Sequence, residues 1–149
     1  MVDKSKKKSS KDRPTSSKRS ETLFDQLIND TYRIGRQIGA GSFGQIRIGT
    51  NITTNQTVAI KLEKMGHNAQ LQNEHYAYGL LTGKKGFPVM YYFGRYLDYQ
   101  VLVIEMLGRD LESVFEKCNR RFTLKSMLFV TIQLLKRFED IHQVGLLYR

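Results

Sequence analysis

The segment Gly39-Ala-Gly-Ser-Phe-Gly44, followed by Gln45-Ile-Arg-Ile48, is the most informative part of this sequence. Glycines spaced G-x-G-x-x-G let backbone N–H groups approach phosphate oxygens closely, because no side chain holds the phosphate away. In a dinucleotide-binding fold such a motif opens a helix. Here the residues after Gly44 alternate between polar and apolar, which is typical of a strand. The pattern therefore predicts the turn of a β-hairpin that holds phosphate, with an ordinary glycine-rich turn as the alternative interpretation.

Short alternating or apolar runs, bounded by turn residues, predict strands on both sides of the glycine cluster. One helical pattern interrupts them, in which Leu71, Glu74 and Tyr78 recur at helical spacing and share a face. The order β-β-β-α-β-β predicts a five-stranded antiparallel sheet with one helix. The predicted elements are the strands Tyr32–Ile38, Gln45–Gly49, Thr57–Leu62, Val89–Tyr96 and Val101–Glu105 and the helix Gln70–Leu81.

After Gly108 the pattern becomes helical, with a short helix predicted over Leu111–Cys118 and a long one over Leu124–Gln143. The long helix is apolar over more than a single stripe. Such a helix normally lies inside a larger helical body. The fold class predicted from the sequence is therefore α+β, a sheet lobe followed by the first helices of a helical lobe.

Val58-Ala-Ile-Lys61 places an ammonium group at the end of an apolar strand. Burying that charge would be costly unless it were paired. Glu74 is a suitable partner, because it shares a helix face with Leu71 and is directed toward the sheet. The ammonium group would then be fixed by the carboxylate while it contacts a phosphate. The alternative is that Lys61 extends into solvent and that Glu74 is solvated.

The order of these features resembles the amino-terminal lobe of a eukaryotic protein kinase, in which V-A-I-K and a helical glutamate follow a glycine-rich hairpin. Three segments resemble the casein kinase 1 family in particular: Val58-Ala-Ile-Lys-Leu-Glu63, Glu105-Met-Leu-Gly108 and Phe122-Thr-Leu-Lys125. Leu147-Tyr-Arg149 resembles the gamma branch of that family, in which tyrosine precedes the arginine where most kinases have histidine. The resemblance covers the chain from Tyr32 to its last residue.

This resemblance implies an ATP site. Adenine would lie between Ile38, Ile46 and Ala59, and Ile104 would be the gatekeeper. Backbone groups of Glu105 and Leu107 would meet the edge of the base. Lys61 would contact the α and β phosphates, and Glu74 would hold Lys61 as its positioning partner. The full set of expected ATP-binding residues is Ile38, Gly39, Ala40, Gly41, Ser42, Phe43, Gly44, Gln45, Ile46, Ala59, Lys61, Ile104, Glu105 and Leu107.

In a kinase, Tyr148-Arg149 would be followed at once by the catalytic aspartate, and later by the metal-binding asparagine and the D-F-G aspartate. None of these three residues is present in the sequence. We therefore expect the ATP-binding fragment of a serine/threonine kinase, inactive by itself. The complete enzyme would be a monomer that uses Mg²⁺ to phosphorylate proteins. The alternative is a naturally truncated, non-catalytic protein that binds a nucleotide or a partner through the same lobe.

The positive charge of the chain is concentrated at its start. Residues 1–20 hold eight basic and two acidic residues, or +6 of the net +10. Together with many serines, this composition predicts a disordered tail and linker over residues 1–31, before an ATP-binding lobe (32–107) and an incomplete helical lobe (108–149). The tail is expected to contact anionic lipid or nucleic acid, which is a third hypothesis for the function.

No targeting segment or metal site is predicted. No apolar run follows the basic tail and Val2 follows Met1, so neither a signal peptide nor N-myristoylation is expected. The resemblance favours an intracellular, cytoplasmic protein with membrane association.

Cys118 is the only cysteine, which excludes a disulfide framework and a multi-cysteine zinc site. The three histidines lack metal-binding spacing. Gly83-Lys-Lys85 is interpreted as a turn, because no serine or threonine follows it.

Overall fold

The computed structural model describes residues 27–41, 44–66 and 70–148. The predictions for the tail, for Ser42 and Phe43 and for Arg149 lie outside these residues. The described part contains one five-stranded antiparallel sheet and three helices. In chain order the elements are β1 (Tyr32–Gly41), β2 (Gly44–Asn51), β3 (Thr57–Lys64), α1 (Gln70–Leu80), β4 (Met90–Tyr96), β5 (Tyr99–Glu105), α2 (Leu111–Lys117) and α3 (Leu124–Gln143).

This architecture confirms the predicted α+β fold, a kinase-like amino-terminal lobe with the beginning of a helical lobe. The spatial order of the strands is β1-β2-β3-β5-β4, so the hairpin of β4 and β5 adds to the sheet through β5. The lobe boundaries at residues 31/32 and 107/108 stay predictions. Ile28, in the segment predicted as linker, is fully buried and forms a β-bridge with Tyr32.

The hairpin of β1 and β2 is longer than the sequence pattern predicts. Both strands extend into the glycine cluster, where Ala40 pairs with Gln45 and Gly41 pairs with Gly44. The three glycines therefore lie at the ends of the two strands. Gly44 lies against β3, because a Cβ atom there would overlap the carbonyl oxygen of Leu62.

The sheet curls enough to bring side chains of its two edge strands close together. Tyr32 of β1 and Tyr92 of β4 belong to opposite edge strands, yet their ring centroids are 6.4 Å apart. Gln56, in the turn between β2 and β3, donates a hydrogen bond of 2.6 Å to the hydroxyl of Tyr91 on the edge strand β4. The core fills the space enclosed by this curl. Its buried members are Ile28, Tyr32, Val58, Ile60, Leu62, Tyr96, Val101 and Val103.

Residues that alternate with this core point to the other face of the sheet, where α1 packs. Leu71 is the one fully buried side chain of α1. Next to it, the ring of His75 stacks on Phe93 of β4, with centroids 4.0 Å apart. Few side chains therefore attach α1 to the sheet.

The helices α2 and α3 begin at capping residues. Asp110 accepts a hydrogen bond from the backbone N–H of Ser113, and Thr123 accepts one from that of Ser126. The observed bounds of α3 are those predicted from the sequence. Neither helix contains a buried residue.

Within the described residues, no helix combines the length and apolar character needed to cross a membrane.

The turn after α1 is attached to α3 by charged side chains. Lys84 forms an ion pair with Asp140 at 3.6 Å, and Asp140 also accepts a hydrogen bond of 3.1 Å from Arg137. The guanidinium of Arg137 lies over the ring of Phe87, 5.8 Å from its centroid. These contacts connect the sheet lobe to the first helices of the helical lobe.

Candidate nucleotide-binding site

A cavity of about 430 Å³ lies between the curled sheet, α1 and the segment that connects β5 to α2. Most of its wall is apolar, and a lysine and a glutamate lie together on that wall. Such a cavity is large enough for a small organic ligand. The lining residues are Ile38, Gly39, Ile46, Ala59, Lys61, Glu74, Ile104, Glu105, Met106, Leu107, Gly108 and Asp110.

Strand register brings these residues together from four strands. Gly39 of β1 lies opposite Ile46 of β2, and Ile46 lies opposite Lys61 of β3. Two residues earlier in β3, Ala59 lies opposite Ile104 of β5. Because residues opposite each other in an antiparallel pair point to the same face, their side chains project from one side of the sheet.

An ion pair connects β3 to α1 at this cavity. The Nζ atom of Lys61 donates a hydrogen bond to the Oε2 atom of Glu74. The two side chains are 32% and 30% exposed, so the pair is accessible from the cavity and from solvent. An ammonium group has three donors, and one carboxylate oxygen occupies only one of them. Lys61 therefore keeps the capacity to contact an anion in the cavity.

Glu74 also affects its neighbour on α1. Burial and, to a smaller extent, the negative charge of Glu74 raise the pKa of Tyr78. The phenol of Tyr78 therefore stays protonated and neutral at physiological pH. Tyr78 is not in the cavity lining, and it adds no charge beside Glu74.

The end of β5 is held by hydrogen bonds to Val89. The backbone N–H of Glu105 donates to the carbonyl oxygen of Val89 at 2.8 Å, and its side chain accepts from the N–H of Val89 at 3.3 Å. After Glu105 the chain runs along the wall of the cavity and reaches Asp110, which caps α2. The backbone N–H of Ser113, and next its hydroxyl, lower the pKa of Asp110. The carboxylate is therefore ionised at neutral pH.

Nine of the residues predicted from the sequence line the cavity: Ile38, Gly39, Ile46, Ala59, Lys61, Glu74, Ile104, Glu105 and Leu107. Four others, Ala40, Gly41, Gly44 and Gln45, form the outer part of the hairpin and are not in the lining. Ser42 and Phe43 lie outside the described residues. The contacts of all these residues with ATP stay a prediction.

Three lining residues, Met106, Gly108 and Asp110, are not predicted from the sequence. Asp110 carried a detectable signal, because aspartate directly before a helical pattern is a typical N-cap. A residue that caps the helix after β5 must lie near the end of that strand. Met106 and Gly108 adjoin predicted residues, and their place in the lining follows from the path of the connection.

The chemistry of the cavity suits a molecule with an apolar planar part and an anionic part. The isoleucines and Ala59 provide apolar walls for the first, and the ammonium group of Lys61 provides an opposite charge for the second. Among the described residues, no three carboxylate, imidazole or thiol side chains lie close enough together to hold a metal ion.

Comparison with curated proteins identifies several homologues, while no protein-family model matches the chain. It is 46% identical over 124 residues to casein kinase I homolog 2 of Schizosaccharomyces pombe and 44% identical over 126 residues to casein kinase I homolog 1 of the same yeast. It is 43% identical over 124 residues to casein kinase I homolog RAG8 of Kluyveromyces lactis. These alignments cover 83% to 84% of this chain.

The chain spans only 23% to 28% of the length of these relatives. Three observations on the aligned part are consistent with kinase homology. They are the sequence identity, the kinase-like sheet lobe and the cavity beside the Lys61–Glu74 pair. The chain is therefore a homologue of the casein kinase I proteins over more than four fifths of its length.

Proposed function

We propose that this chain is the ATP-binding part of a casein kinase 1-like protein serine/threonine kinase. The observation that carries the proposal is the ion pair of Lys61 with Glu74 on the wall of an apolar cavity. A protein kinase needs both groups in place to hold the phosphates of ATP. The homology to casein kinase I proteins supports the same assignment.

In this proposal, adenine occupies the apolar part of the cavity between Ile46 and Ala59, next to Ile104. The phosphates extend toward Lys61, whose ammonium group neutralises part of their charge. Glu74 holds that ammonium group in place. Phosphoryl transfer depends mainly on positioning and on electrostatic stabilisation. The described residues supply the positioning of the nucleotide.

The activity of the whole protein is a second part of the proposal. The complete enzyme would transfer the γ-phosphate of ATP to hydroxyl groups of proteins, with Mg²⁺ supplying charge neutralisation. The 149 residues include no residue in the position of the catalytic aspartate. We therefore propose that they bind ATP without transferring phosphate. We assign them to the gamma-like branch on the strength of Leu147-Tyr-Arg149, of which Arg149 lies outside the described residues.

A non-catalytic role in binding nucleotides or partners is the second candidate. It would use the same cavity, which is lined entirely by described residues. The transcript beyond Arg149 distinguishes the candidates. An in-frame aspartate directly after Arg149 supports the fragment of an active kinase, and a stop codon supports the non-catalytic protein.

The location and further contacts of the protein are also proposals. We propose an intracellular, cytoplasmic protein that is monomeric as a complete enzyme and associates with membranes. The basic tail would contact anionic lipid or nucleic acid. Deleting residues 1–20 should then remove most salt-dependent binding to anionic vesicles or DNA. Equal binding by the shortened chain would contradict a role for the tail.

ATP binding is tested by titration calorimetry on the 149-residue chain. We expect one ATP per chain, with adenosine competing for the same cavity. The variant Ala59→Leu fills the space next to Ile104 and should lower the affinity for both ligands at least about tenfold. Thr57→Leu, an exposed position of the same strand, is the matched control. Absence of ATP binding, or equal affinities for wild type and Ala59→Leu, would contradict the proposal.

A further inference from the structure

Glu63 is the one buried charged residue in the described part of the chain, with 6% of its surface exposed. It lies on β3 two residues after Lys61, so both side chains point to the sheet face on which α1 packs. Carboxylates are rarely buried to this degree unless they are paired or hydrogen-bonded. The partners of Glu63 therefore indicate why a charge is placed there.

Those partners are the first backbone N–H groups of α1. Oε1 of Glu63 accepts a hydrogen bond of 3.1 Å from Gln70, and Oε2 accepts one of 2.7 Å from Leu71. The first N–H groups of a helix have no partner within the helix, and its N-terminus favours a negative charge. The first turn of α1 contains no acidic residue. The carboxylate that caps α1 is thus supplied by the neighbouring strand.

The strand β3 holds α1 at two successive turns. Glu63 fixes its first residues, and Lys61 pairs with Glu74, which follows Gln70 by about one helical turn. Leu71 is the one buried residue of α1, so these polar contacts are a large part of its attachment. Loss of the contact at the first turn would let the helix rotate or shift, which would move Glu74 away from Lys61.

We propose that Glu63 is a positioning residue for the Lys61–Glu74 pair: by capping α1 from β3, it sets where Glu74 stands relative to the ammonium group. The inference rests on the proposed function in so far as that pair serves a nucleotide. The geometric part, coupling between the cap and the pair, is independent of any ligand.

The ligand-independent test measures the NMR chemical shift of the Lys61 ammonium group. The signal is assigned by its loss in the Lys61→Ala variant. The Glu74→Gln variant removes the ion pair, and the position of its signal is the reference for an unpaired Lys61. We expect Glu63→Ala to move the signal toward its position in Glu74→Gln. Glu63→Gln keeps one acceptor oxygen and should give a smaller change. The control Glu112→Ala removes an exposed glutamate of α2 and should leave the signal unchanged.

The functional test compares the affinities for ATP and adenosine in the full chain. Glu63→Ala should weaken ATP binding about tenfold and adenosine binding less than about twofold, since adenosine has no phosphate. In a Glu74→Gln background, Glu63→Ala should cause little further loss, because the two residues act through one contact. A merely structural role would lower both affinities by the same factor.

The two proposals fail in distinguishable ways. If the wild-type chain binds ATP no better than adenosine, the proposed function fails, while the Lys61 signal still tests Glu63. If ATP binding depends on Lys61 but the signal and the affinity ratio are unchanged in Glu63→Ala, the inference about Glu63 is overturned. If Glu63→Ala does not fold, the Lys61 signal and the ratio of ATP to adenosine affinity are measured in Glu63→Gln instead. Values equal to those of the wild type would overturn the inference.

Discussion

Lys61 and Glu74 form an ion pair between β3 and α1, although thirteen residues separate them in the sequence. Because both side chains are about one third exposed, such a pair contributes only about 0–1 kcal/mol to the stability of a protein. The pair is therefore important for where it places the ammonium group and not for the stability of the fold. The pair holds an ammonium group at one point of the cavity wall, where the proposed function requires a contact with phosphate.

The close approach of Gly44 to β3 predicts a selective effect of substitution in the glycine cluster. Gly44 has a φ of +152°, and a Cβ atom there would overlap the carbonyl oxygen of Leu62. A Cβ atom at Gly41 meets nothing within 4 Å. We expect Gly44→Ala to lower the free energy of unfolding by about 2 kcal/mol or more and Gly41→Ala by less than about 0.5 kcal/mol. Urea titrations of both variants check this, and equal stabilities would contradict the packing at Gly44.

The contact between Tyr32 and Tyr92 predicts that Tyr32 stabilises the curled sheet. Its side chain is 7% exposed and contacts Tyr92 across the core, whereas Tyr76 on α1 is 62% exposed. Tyr32→Ala should cost about 3 kcal/mol through the cavity it leaves, and Tyr76→Ala less than about 0.5 kcal/mol. Thermal unfolding of the two variants measures the difference. A small effect at Tyr32 would show that the edges are held together by other contacts.

The cap of α2 predicts a dependence of stability on pH. Hydrogen bonds from Ser113 lower the pKa of Asp110 below its ordinary value of 3.8. The stability that this carboxylate contributes is therefore complete above that value and is lost as pH falls through the lower folded-state pKa. Asp110→Asn keeps an acceptor oxygen but does not titrate. The stability difference between wild type and Asp110→Asn should be constant above about pH 5 and decrease in more acidic solution. A difference that does not vary between pH 6 and pH 2 would contradict this role.

The exposed face of α3 predicts self-association of the 149-residue chain. Leu128, Ile132 and Leu135 share one side of the helix and are 54%, 51% and 61% exposed. Sedimentation velocity at micromolar concentration should reveal oligomers that bind a hydrophobic dye. The variant Leu128→Glu/Leu135→Glu should be monomeric, while Gln133→Glu, an exposed polar position of the same helix, should behave as wild type. A dye-negative monomer in the wild type would refute this prediction.

Much of the fold follows from local patterns. The polar and apolar alternation after Gly44 predicts a strand where a dinucleotide-binding fold would have a helix, and the structure contains β2 there. The bounds of α3 agree with the sequence because Thr123 is a good N-cap and the apolar positions repeat regularly up to its end. The proximity of Lys61 and Glu74 was predictable as well, since a buried strand that ends in lysine needs a partner on the facing helix.

Other features depend on contacts between residues far apart in the sequence. The contact of Tyr32 with Tyr92 results from the curl of the sheet, which no single strand encodes. The role of Glu63 also escapes a local analysis, because a glutamate near the end of a strand gives no indication that a helix begins beside it. The outer hairpin residues Ala40, Gly41, Gly44 and Gln45, which the kinase resemblance assigns to ATP binding, are not in the cavity lining, and their contact with ATP stays a prediction.

The most direct test of the account is the affinity for ATP of Lys61→Ala compared with Lys64→Ala, measured by titration calorimetry on the 149-residue chain. Both variants remove one lysine from β3, but only Lys61 lies on the cavity wall. We predict that Lys61→Ala weakens ATP binding at least about tenfold, or about 1.4 kcal/mol, while Lys64→Ala binds as wild type does. Equal ATP affinities of wild type and Lys61→Ala would contradict the assignment of this cavity to a nucleotide.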